Sequence, residues 1–214
     1  MSAVLLRELP PTLPRHRDVP AELLGFPAGA LTLLVGEAAH GAPERLVLAA
    51  AAEGRGALLV CGDNRLDAFG LLARARAAGL EDAVADGLLL ARAFTVHQLV
   101  ALVDETLPLM ARERSDAGVA LVTGLLDLFL DEDVREAEAR TLLRRCLRGL
   151  AAWSTRAGFP VVATMEAPGS ARASDLLALA SDAAARRVDA PWAIDARATA
   201  RHQARIEAFA AEAA

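Results

Sequence analysis

Gly36-Glu37-Ala38-Ala39-His40-Gly41-Ala42-Pro43 stands directly after the apolar run Leu31–Val35 and before an Ala/Leu-rich stretch. Two glycines at this spacing, between a strand and a helix, frame a phosphate-binding loop, which reads G-x-x-x-x-G-K-[ST]. Here the lysine position holds Ala42 and the hydroxyl position holds Pro43. The lysine would place a positive charge on the β- and γ-phosphates, and Ala42 supplies none. The hydroxyl would help hold Mg²⁺, and Pro43 has neither a hydroxyl nor the backbone N–H that helps cradle phosphate. Proline does suit the first turn of a helix. The loop can therefore fold while its chemistry is missing. Taken alone, two glycines also suit an ordinary strand-to-helix turn.

Other side chains with chemical potential are scattered. Arg140, Arg144 and Arg148 share one face of a helical pattern at i, i+4, i+8 spacing. They form either a phosphate-contacting ridge or a solvated face paired with Glu136 and other acids. Leu143, Cys146, Leu147, Leu150 and Trp153 make the opposite, core-facing stripe. Of His16, His40, His97 and His202, no two have metal-ligand spacing on one element, and only His40 is placed for a ligand. No Ser/His/Asp arrangement or nucleophile elbow is visible. Cys61 and Cys146 have no CxxC spacing and read as small core residues.

The elements that must position these residues alternate. Strands are expected at Leu31–Val35, Ala57–Cys61, Gly87–Arg92, Gly118–Val122 and Pro160–Thr164. Helices are expected at Glu44–Glu53, Leu66–Ala78, Thr95–Ala111 and Val134–Arg156. Short uncharged strands between helices imply an α/β fold, with a mostly parallel central sheet and helices on both faces. Ligands of such sheets sit beyond the C-terminal strand ends, which directs attention to the residues just after Val35, Cys61, Val122 and Thr164. Residues 1–24 are Pro- and Arg-rich and read as a lead-in arm, 25–190 as the core, and 191–214 as a C-terminal segment. Within the last, a strand followed by a short helix at Ala204–Ala213 is expected.

The 214 residues are 54% hydrophobic, enough for one folded core, and carry a net charge of -5. All 23 basic residues are arginine. An acidic balance argues against strong autonomous nucleic-acid binding. No apolar run is long enough for a membrane span, and no signal peptide is visible, so a cytoplasmic location is expected.

In register, the sequence resembles the RecA/RadA recombinase family from about Gly25 to Val188. Gly29-Ala30-Leu31-Thr32-Leu33-Leu34-Val35-Gly36-Glu37 looks like the family's entry to the phosphate loop. Leu89-Leu90-Ala91-Arg92-Ala93-Phe94, followed by His97-Gln98, looks like the ARAF-N-x-x-H-Q segment of RadA-type proteins and is the most specific match. The resemblance implies a RecA-like core. It also implies a catalytic carboxylate after the second strand, where Asp63 stands, shorter than the family's Glu. A metal-supporting Asp should end the Walker B strand, but Thr123 and Gly124 follow Val122, and Asp127 lies a helical turn further on. The γ-phosphate sensor position holds Glu166, a carboxylate that would repel phosphate. Phosphoryl transfer depends on positioning and charge neutralisation, and four of its parts are missing together. The resemblance therefore implies a degenerate paralogue without ATPase activity and with no resident cofactor, weak ATP binding through the backbone of Gly36–Gly41 aside.

Two family loops bind single-stranded DNA. Their counterparts here are the acidic Leu130-Asp131-Glu132-Asp133 and the short stretch Ala167–Ser174, whose one cation is Arg172. Neither offers aromatic stacking. Arg140, Arg144, Arg148 and Arg172 are the candidate DNA contacts, and any such binding is expected to be weak. The expected function is an accessory role in DNA recombination or repair through protein contacts. The partner would be a recombinase, a polymerase, another repair protein or a second copy of the chain. A regulatory pseudo-ATPase similar to the KaiC-like branch, unrelated to DNA, is the alternative.

Overall fold

The computed structural model describes residues 26–189 apart from 37, 38, 40 and 64. The arm at 1–24 and the strand and helix expected after residue 190 lie outside the described residues. In chain order the elements are β1 (Leu31–Val35), α1 (Ala42–Ala52), β2 (Gly56–Cys61), α2 (Ala68–Ala77), α3 (Glu81–Gly87), β3 (Leu88–Arg92), α4 (Val96–Ala101), α5 (Leu107–Glu113), β4 (Ala117–Thr123), α6 (Glu136–Ala157), β5 (Val161–Met165), α7 (Ala171–Ala183) and β6 (Arg186–Asp189).

The six strands form one sheet in the order β3-β2-β4-β5-β1-β6. Every neighbouring pair is parallel. Parallel strands buried on both faces need apolar side chains at nearly every position. Accordingly β1, β2, β4 and β5 are buried along their whole length. Alternation splits them between two cores. Leu33, Leu58, Val60, Ala120 and Val122 face the layer of α4, α5, α6 and α7. Leu34, Leu59, Cys61, Leu121 and Val162 face α1, α2 and α3. Burying one such Leu fully is worth about 1.5–3 kcal/mol. The result is an α/β fold consistent with the RecA-like core expected from the sequence.

Three differences from the sequence reading have physical causes. First, the sequence pattern does not announce α3 or β6. α3 has only seven residues, too few to show a helical period, and it runs straight into β3, so that Gly87 ends the helix and does not open the strand. β6, Arg186-Arg187-Val188-Asp189, has no apolar alternation because it lies at an edge. Second, α7 begins at Ala171, so Arg172, Ala173 and Ser174 are helical, and only 167–170 remain a loop. Ser170 starts that helix by accepting from the Ala173 N–H at 3.1 Å. Third, the helix expected at Thr95–Ala111 is broken by a π turn over Leu102–Thr106. Pro108, in the first turn of α5, cannot donate back to the preceding turn, and the wider turn absorbs the loss.

No described helix is long and apolar enough to cross a membrane.

Candidate functional site

β1, β2, β4 and β5 end on one side of the sheet, and the residues after them surround the crevice where a nucleotide would sit in such a fold. Strand order places β5 between β1 and β4. The loop after β1 therefore lies beside the one after β5, and the Gly36 N–H donates to the Met165 carbonyl at 3.0 Å. Gly36 has φ 120°, a region open to glycine. Of the degenerate loop, Glu37 and His40 lie outside the described residues. Gly41 caps α1 without a side-chain bond, and Pro43 is buried in its first turn, the position proline suits.

Two carboxylates at the crevice are already neutralised. Glu44, in the first turn of α1, forms an ion pair with Arg74 of α2. A carboxylate there complements the positive end of the helix, the end that would otherwise face phosphate. Glu166, at the sensor position, forms an ion pair with Arg65 of the β2–α2 connection. That hydrogen bond is the main cause holding the Arg65 guanidinium pKa above its ordinary value. From the sequence, Glu166 is expected to confront phosphate as a bare charge. Instead it ties one side of the crevice to the other.

Asp63 and Thr123 meet at the centre. Asp63 is buried, and its Oδ1 accepts from the Thr123 hydroxyl at 2.6 Å. The strand ends approach so closely because both carry glycine. The Gly62 N–H donates to the Thr123 carbonyl at 2.8 Å. A Cβ on Gly62 would sit 2.9 Å from that same oxygen. The Gly124 N–H in turn reaches the Thr164 hydroxyl at 3.3 Å. Thr123, where the resemblance would put a metal-supporting Asp, is thus a donor that engages the Asp63 carboxylate. Cys61 lies under this group. Burial pushes its thiol pKa up, offset in part by a Thr123 hydrogen bond.

Pro43, Glu44, Asp63, Arg65, Leu66, Thr123 and Thr164 line a small, solvent-open pocket of about 40 Å³. That is close to the share of one water, roughly 30 Å³. A larger cavity of about 240 Å³ lies further along, lined by Asp127, Leu130, Glu166, Ser170 and Arg172 among others. Among the described residues no group of three or more His, Cys, Asp or Glu side chains is arranged to hold a metal ion.

The candidate DNA contacts differ in their surroundings. Arg172 Nη2 donates to the Phe129 and Val134 carbonyls, both at 2.7 Å, and so ties α7 to the loop containing the exposed acids 131–133. Arg140 lies 3.7 Å from Glu136 and 3.5 Å from Asp175. Arg144 and Arg148 are exposed. The helix face thus carries one paired cation followed by two exposed ones.

The segment Phe94–Gln98 has a local structural role. Thr95 caps α4 by accepting from the Gln98 N–H at 3.2 Å, while Gln98 Oε1 accepts from the Phe94 N–H at 2.8 Å. This reciprocal pair starts the helix much as a capping box does. His97 Nε2 approaches Glu138 of α6 at 3.3 Å.

No protein-family model and no curated protein matches the chain.

Proposed function

We propose that the chain is a non-catalytic RecA/RadA-like accessory protein of DNA recombination or repair, working through protein contacts. The observation that supports it is a parallel sheet whose strand-end crevice is bridged by its own side chains, through the Thr123–Asp63 hydrogen bond and the Arg65–Glu166 ion pair. Ligand pockets occupy roughly 300–1,000 Å³. The space around Asp63 and Thr123 is about 40 Å³. Opening it would mean breaking the Thr123–Asp63 hydrogen bond and the Arg65–Glu166 ion pair. Neither Ala42 nor Pro43 contributes a side-chain charge or donor in return. A core kept intact without its chemistry suits a scaffold, cap or mediator.

Calorimetric titration with Mg²⁺ and ATP, or a slowly hydrolysed analogue, is expected to give no binding heat up to millimolar nucleotide. Micromolar affinity would end the pseudo-ATPase reading. The cellular role has its own test. Cells lacking the protein are expected to be sensitised to DNA-damaging agents, and wild-type survival and recombination frequency would remove the repair assignment.

A further inference from the structure

We draw no further inference here: the strongest candidate, the outward face of α6 that carries the exposed Arg144 and Arg148, is an ordinary solvated helix face by its charge alone, and nothing in the structure shows what covers it.

Discussion

Gly124→Ala is expected to destabilise the protein by about 3 kcal/mol, from a left-handed backbone cost of about 1–2 kcal/mol and an overpacking cost of about 1–3 kcal/mol. Gly124 has φ 57°. A Cβ added there would lie 2.5 Å from Asp63 Cβ and 2.9 Å from Asp63 N, so the neighbour that must yield is close to the main chain. Gly158 separates the two contributions. It caps α6 with φ 72°, and a Cβ there meets nothing within 4 Å. Gly158→Ala should therefore show the backbone cost alone, about 1 kcal/mol. In urea denaturation followed by circular dichroism, Gly124→Ala should lower the midpoint by about 1 M at unchanged slope. Equal losses at the two glycines would mean that the close approach of β2 and β4 is not a packed constraint. The prediction bears on function because this approach brings Thr123 onto Asp63.

The parts of the fold legible from sequence are those where burial dictates residue type. β1, β2, β4 and β5 are buried on both faces, so LTLLV, the ALLVC part of β2, the GVALV part of β4 and the VVAT part of β5 stand out as uncharged runs between helices. β6 is invisible by the same logic, since an edge strand owes its residues to solvent. α7 is hidden because its first turn, Ala-Arg-Ala-Ser, has the small and polar composition of a loop. At the site, the absent groups are readable, because Ala42, Pro43 and Thr123 differ in kind from lysine, serine and aspartate. The contacts that replace them are not. Arg65–Glu166 joins residues 101 apart in the chain. Thr123–Asp63 joins residues 60 apart. No local spacing carries either pairing. A weaker signal exists: an acid just past a strand end calls for a cation from another strand end, and Arg65 is the first cation after β2.

Arg114 shows the same limit at the opposite end of the sheet. Nothing in its sequence context separates it from the other arginines. Yet its side chain is only 8% exposed. Nη1 donates to the Asp86 carbonyl at 2.9 Å and Nη2 to Asp116 at 3.0 Å. The guanidinium thereby joins the turn before β3 to the turn before β4, across β2. Space for it is made by two glycines. A Cβ on Gly56 would come within 3.1 Å of the guanidinium nitrogens, and one on Gly87 within 3.7 Å. Arg114→Ala is expected to cost about 3 kcal/mol, since hydrogen bonds to charged groups are worth about 1.5–3 kcal/mol each and a carbonyl is left without its partner. Arg114→Met, which keeps most of the packed stem, should recover only the packing part. Asp116→Asn should cost less than about 1 kcal/mol, because that carboxylate is half-exposed and water can replace it. The order Ala, then Met, then Asp116→Asn, read from denaturant midpoints, checks the assignment. If Asp116→Asn matched Arg114→Ala, the ion pair and not the carbonyl bridge would hold the turns. The location at the N-terminal ends of the strands, away from the crevice, assigns this charge to stability.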